Sequence, residues 1–132
     1  MEPQASPQRV LIVDDAPAVR EALRWVFGEA VDIRVVGEAG NASEALIRVV
    51  ELEPDVVILD VELPDLDGYT VARSIKALPH SPLVLFLSVH SDAQARQQAI
   101  AAGGDSFVEK GTGWLPLIQE IRRLISKRRA DQ

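Results

Sequence analysis

The stretch RVLIVDDAP, residues Arg9–Pro17, carries four apolar residues straight into two adjacent aspartates and, two positions later, a proline. Val10–Val13 is too short for a helix and is β-branched at three of its four positions, so it reads as a buried strand. Pro17 stands where a first helical turn accepts a proline. Asp14 and Asp15 therefore sit side by side at the end of a buried strand, where two like charges repel and a cation would relieve them.

Four more short apolar runs repeat this pattern: Ile33–Val36, Val56–Leu59, Leu83–Leu87 and Ser106–Val108. Helical spacing separates them. Val19, Leu23, Val26 and Phe27 recur on one face, as do Ala42, Ala45, Leu46 and Val49, and then Val71, Ala72 and Ile75. Asn41 with Glu44 three residues later resembles a capping box. A fourth helix over about Asp92–Ala102 has few large apolar residues, which predicts loose packing. A fifth, over about Gly113–Arg128, places Trp114, Leu117, Ile118, Ile121 and Ile125 on one face, with Pro116 tolerable in the first turn. Trp25 and Trp114 are expected to be packing residues. Strictly alternating strands and helices imply right-handed crossovers and an α/β, doubly wound, five-stranded parallel sheet with helices on both faces.

The composition fits one soluble domain. The chain has 132 residues, 47% hydrophobic and 26% charged, enough for a substantial core and no second domain. Its formal net charge of −6 argues against direct nucleic-acid binding. With no cysteine, neither disulfides nor a cysteine-based zinc site can stabilise it, which fits a reducing cytoplasm. No segment resembles a signal peptide or a membrane span. Residues 1–8 read as a flexible arm, 9–126 as the domain, and 127–132 as a solvated tail or the start of a linker. In that tail Lys127, Arg128 and Arg129 suit a helix C-terminus.

In doubly wound sheets ligands bind at the carboxyl ends of the strands, near the point where strand order reverses. Asp14 and Asp15 stand at the end of the first strand, Asp60 at the third, Ser88 at the fourth, and Glu109–Lys110 at the fifth. Oxygen ligands without His or Cys favour a hard ion, and Mg²⁺ suits carboxylates combined with a phosphate. A carboxylate can also act as a nucleophile and form an acyl phosphate. Asp60 is the candidate, with Ser88 to donate a hydrogen bond to the phosphoryl oxygens and Lys110 to neutralise them. His80 and His90 read as loop histidines.

Four segments, VLIVDDAP, DVVILDVELPDLDG, LVLFLSVHSD and AGGDSFVEKG, together resemble the receiver domain of bacterial two-component response regulators. VVGEAGNASEAL is similar to the second strand and helix of the branch that carries a C-terminal LuxR-type helix-turn-helix. The resemblance implies a flavodoxin-like strand order 2-1-3-4-5 and Asp60 as phosphoacceptor. It implies a Mg²⁺ site from Asp14, Asp15, Asp60 and the backbone carbonyl of Glu62. Ser88 and Lys110 would be the phosphate-sensing pair and Phe107 the switch aromatic. Pro64, Asp67 and Gly68 would shape the adjoining loop, while Glu62, Val89 and His90 would flank access to the site.

Three features depart from the family pattern. Gly111 follows the lysine where proline is common, the switch aromatic is Phe and not Tyr, and Val89 is bulkier than the usual small residue. The expected function is a phosphorylation-controlled switch, not an enzyme beyond its own phosphorylation and dephosphorylation. A sensor histidine kinase would act on Asp60, and the surface of the fourth helix, fifth strand and fifth helix would change to regulate an output such as transcription. A homodimer on activation is implied, as is a DNA-binding output domain if the chain is part of a longer protein. A binding module indifferent to phosphorylation is one alternative. An Asp-nucleophile, Mg²⁺-dependent phosphatase is another, disfavoured because Ala16, not aspartate, stands two residues after Asp14.

Overall fold

In a computed structural model, whose described residues are 6–89 and 92–131, strands and helices alternate along the chain. They are β1 (Gln8–Val13), α1 (Pro17–Gly28), β2 (Ile33–Ala39), α2 (Ala42–Leu52), β3 (Val56–Asp60), α3 (Gly68–Lys76), β4 (Leu83–Ser88), α4 (Ala93–Ala101), β5 (Ser106–Glu109) and α5 (Leu115–Ala130). The five strands pair in parallel in the order β2-β1-β3-β4-β5, the flavodoxin-like order. After β2 the chain crosses to the other side of β1, so the strand order reverses between β1 and β3. The crevice this opens lies where Asp14 and Asp60 end their strands.

Side-chain alternation divides the core between the two faces. Leu11, Val13, Val57, Leu59, Val84 and Phe86 face the layer that includes Ala42, Ala45 and Val49 of α2, Val71, Ala72 and Ile75 of α3, and Ala99 of α4. Val10, Ile12, Val56, Ile58, Leu85, Leu87 and Val108 face Leu23 and Phe27 of α1 and Leu117, Ile121, Leu124 and Ile125 of α5. The central strands are buried on both faces, which is why they read as continuous apolar runs. Their burial fixes the register that brings the carboxylates together.

The differences from the sequence expectation have local causes. β1 begins two residues earlier, at Gln8, whose N–H donates to the carbonyl of Asp32. β2 continues through Gly37, Glu38 and Ala39, with a register shift opposite Val10/Leu11, where polar residues on an edge strand hide the extension. Trp25 is not a packing residue: it is 71% exposed. The buried stripe of α1 runs through Leu23 and Phe27, and Trp25 lies midway between them in sequence, about half a turn of helix away. Trp114 does pack against the core. The basic residues Lys127, Arg128 and Arg129 form the last turn of α5, which continues to Ala130. Arg128 donates to the carbonyls of Ser81 and Asp55, holding that turn to the loops at the amino ends of the strands. As its composition suggests, α4 buries only small side chains, Ala95 and Ala99, followed by Ala102 just beyond its end.

Candidate functional site

Asp14 follows directly on β1 and is 1% exposed. Three of its polar atoms are committed. Its N–H donates to the carbonyl of Ala39, its carbonyl accepts from Nη1 of Arg20 at 2.6 Å, and Oδ1 accepts from the N–H of Ala16 at 2.9 Å. Oδ2 is left aimed into the crevice, where it makes no aligned hydrogen bond although Nζ of Lys110 is 2.9 Å away. Asp15 beside it is exposed.

Asp60 closes β3 and is 5% exposed. Its Oδ1 accepts from the N–H of Glu62 at 3.0 Å, and its Oδ2 accepts from Nζ of Lys110 at 3.1 Å. Asp14, Asp15 and Asp60 each offer a carboxylate oxygen, and the three oxygens lie within 4.8 Å of one another. Oxygen-only donors at this separation, one of them buried without an aligned hydrogen-bond partner, fit a hard divalent cation.

The electrostatics follow from burial and charge. Burial pushes the Asp60 carboxyl above its ordinary value; the Glu62 N–H works against this, the Asp14 charge adds to it, and Lys110 opposes it. Burial alone would lower the Lys110 ammonium, but the contacts with Asp14 and Asp60 more than offset that and hold it above its ordinary value. Lys110 thus neutralises part of the negative charge that Asp14 and Asp60 bring to the crevice.

The loop after Asp60 is held tightly. Glu62 and Asp67 pair across it as an antiparallel bridge, and the N–H of Gly68 donates to the carbonyl of Val61 at 2.6 Å. A Cβ on Gly68 would stand 2.3 Å from the Asp60 carbonyl oxygen, so only glycine permits this approach. Asp67 caps α3, accepting from the N–H and hydroxyl of Thr70. Pro64 is exposed in the same loop, as is the Glu62 side chain.

Ser88 is 2% exposed at the end of β4, beside β3, and its carbonyl accepts from the N–H of Lys110 at 2.7 Å. Val89 is 58% exposed. His90 lies outside the described residues. Phe107 is half-buried on β5, away from the strand ends, and the Arg96 guanidinium lies 5.0 Å from its ring centroid. Gly111 has φ of 91°, a conformation closed to proline, so the family's common residue could not adopt this backbone.

Sequence reasoning overlooked several contributors. Arg20 reaches back to Asp14, six residues earlier, and nothing in the sequence between them marks the contact. Asp65 accepts from the N–H groups of Ala42 and Ser43, capping α2 from the loop that follows Asp60. Asp105 accepts from the N–H of Val84 and from Lys76, tying the turn before β5 to β4 and α3. The contacts of Asp65 and Asp105 span more than 20 residues, and no local pattern reveals them.

A profile of the response regulator receiver domain matches residues 10–122. The chain belongs to this family. As a receiver domain it is 39% identical over 127 residues to a protein-glutamate methylesterase/protein-glutamine glutaminase of Symbiobacterium thermophilum, covering 94% of this chain and 35% of that protein. It is 41% identical over 102 residues to a putative transcriptional regulator of Pseudomonas aeruginosa, covering 77% of this chain and 49% of the relative. Among solved structures, a LuxR-family two-component response regulator from Aurantimonas sp. SI85-9A1 superposes with a TM-score of 0.87 at 30% identity, covering 92% of this chain and 87% of that one. The receiver spans about a third of the length of the methylesterase relatives that it matches. No described helix is long and apolar enough to cross a membrane.

Proposed function

We propose that this receiver domain is a phosphorylation-controlled switch whose phosphoacceptor is Asp60. The observation that carries the reading is the meeting of three carboxylates at the strand ends with Lys110 between two of them. Asp14, Asp15, Asp60 and the backbone carbonyl of Glu62 would hold Mg²⁺, which supplies charge neutralisation for an incoming phosphoryl group. The donor is a phosphohistidine of a sensor kinase. A carboxylate oxygen of Asp60 attacks phosphorus, the O–P bond forms, the P–N bond breaks, and its electron pair stays on the imidazole nitrogen. Lys110, already within hydrogen-bond reach of Asp60, neutralises the phosphoryl oxygens, and Ser88 donates to them.

The acyl phosphate adds about −1.5 to −2 charge near neutral pH. Lys110 and Ser88 move toward it, and the equilibrium of the α4, β5 and α5 surface shifts, with Phe107 changing rotamer. The small buried side chains of α4, Ala95 and Ala99, favour movement there. Pro64, Asp67 and Gly68 keep the loop beside Asp60 in place, while Glu62, Val89 and His90 govern water access to the acyl phosphate. The likeness to a LuxR-family regulator and to a putative transcriptional regulator supports transcription as the output, exerted in the cytoplasm through a DNA-binding domain, with dimerisation on activation. A second reading, favoured by the 39% identity to the Symbiobacterium protein, is control of a methylesterase domain.

Intact mass after incubation with acetyl phosphate tests the switch. A Mg²⁺-dependent gain of one phosphoryl group, absent from Asp60→Asn, is expected. If neither that gain nor beryllium fluoride binding occurs, the protein is a binding module indifferent to phosphorylation. Turnover of small phosphate esters would instead establish a phosphatase.

A further inference from the structure

We infer that Arg20 is a positioning residue for the cation site, acting through the backbone of Asp14. This rests on the Mg²⁺ reading above and extends it to a residue that is not itself a ligand. Arg20 projects from the first turn of α1 back beneath the β1–α1 turn, where Nη1 donates to the Asp14 carbonyl at 2.6 Å and Nε to Oε1 of Glu38 at 3.1 Å. Gly40 closes the third side, since a Cβ there would stand 3.3 Å from Nη1. The guanidinium is thus fixed by a carbonyl, a carboxylate and a wall of backbone.

The consequence falls on Asp14. Ala39, Arg20 and Ala16 bind its N–H, carbonyl and Oδ1, so its peptide and one carboxylate oxygen have no freedom left. Oδ2, which Nζ of Lys110 approaches at 2.9 Å, is the carboxylate oxygen that remains for a ligand, and the next peptide, which carries Asp15, leaves from the carbonyl that Arg20 pins. A bare cation this close to three carboxylates would compete with a metal by repulsion. Glu38 lowers that cost: it pairs with Arg20 at 3.1 Å and with Arg24 at 2.7 Å, so its carboxylate offsets part of the charge that Arg20 brings near the site. Arg is required, because a planar fork reaches two acceptors at once and an ammonium does not hold both in fixed directions.

The test is Mg²⁺ titration of the intact protein by calorimetry at constant ionic strength, for wild type, Arg20→Ala and Arg20→Lys. Removal of a group that orients a metal ligand costs about 10-fold or more in affinity. Arg20→Ala is expected to show that loss, Arg20→Lys a smaller loss of the same sign, and phosphorylation by acetyl phosphate to recover when Mg²⁺ is raised. A purely structural Arg20 would lower unfolding stability in EDTA and leave Mg²⁺ affinity untouched; that result in a folded Arg20→Ala overturns the inference. If Arg20→Ala fails to fold, unchanged affinity in Arg20→Lys overturns it equally. A wild-type protein that binds no Mg²⁺ sinks the site reading and this inference with it, whereas binding by wild type with no change in the variants sinks this inference alone.

Discussion

Nζ of Lys110 lies 3.1 Å from Oδ2 of Asp60, across 50 residues of chain, and 2.9 Å from the buried Oδ2 of Asp14. One ammonium thereby holds two buried carboxylates that would otherwise repel across the crevice. Lys110→Ala is expected to destabilise the fold by about 2–3 kcal/mol at pH 7, as breaking a buried charged hydrogen bond does. Urea unfolding with and without Mg²⁺ checks this, and the loss should shrink when Mg²⁺ is present, because a second cation takes over the neutralisation.

Burial holds the Asp60 carboxyl above its ordinary 3.8, so the folded state binds its proton more tightly than the unfolded chain does. The stability contributed by that proton is complete below 3.8 and is lost as pH rises through the folded value. Asp60→Asn carries no charge at any pH. It is therefore expected to unfold at higher urea than wild type at pH 7, with the gap closing as pH falls toward 4. A constant gap across that range would contradict the assignment of the penalty to the Asp60 charge.

Gly68→Ala places a methyl group 2.3 Å from the Asp60 carbonyl and 2.8 Å from Cα of Val61. Both are backbone atoms, so the loop must move as a unit. The expected cost is about 1–3 kcal/mol, the range for forced overpacking, together with a slower phosphoryl gain from acetyl phosphate. Unaltered stability and rate would mean that the β3–α3 loop yields freely.

The chain contains three phenylalanines, which makes ¹⁹F labelling of Phe a direct probe of the proposed switch. Phe27 and Phe86 are fully buried, whereas Phe107 is half-buried beside the Arg96 guanidinium. On addition of beryllium fluoride with Mg²⁺, the Phe107 resonance should shift or split while that of Phe27 stays in place. Arg96→Ala should move the Phe107 signal without any activator, since the cation–π contact is then gone. Three static resonances would remove Phe107 from the switching mechanism.

Central elements were legible because burial on both faces writes itself into sequence as short β-branched runs, and the strand-end residues Asp14, Asp60 and Lys110 could be found by counting to the end of each run. β2 was shortened because an edge strand tolerates Gly37 and Glu38, which carry no apolar signal. Trp25 is exposed because helical phase outweighs side-chain type: the stripe through Leu23 and Phe27 places it outward. Arg20 and Asp65 were invisible for a different reason. Arg20 binds the carbonyl of Asp14 and Asp65 the N–H groups of Ala42 and Ser43, and a carbonyl or an N–H has no signature in sequence.

The pairing of Asp65 with the first turn of α2 links the site loop to a helix that the site never touches. Asn41 fills the N–H of Glu44, and Asp65 fills those of Ala42 and Ser43, so two side chains from different segments share one helix terminus. Asn41→Ala is expected to cost about 1 kcal/mol, the usual loss of an N-cap, with its effect confined to α2. Asp65→Ala should act at two places, because the loop that follows Asp60 loses its anchor as well. Hydrogen exchange should therefore quicken both in the first turn of α2 and across 61–68. The hydrogen bond from Ala42 is the main cause that holds Asp65 below its ordinary 3.8, so its contribution is present above 3.8 and is lost as pH falls through the lower folded value. Faster exchange in α2 alone would show that the loop beside Asp60 keeps its shape without the cap.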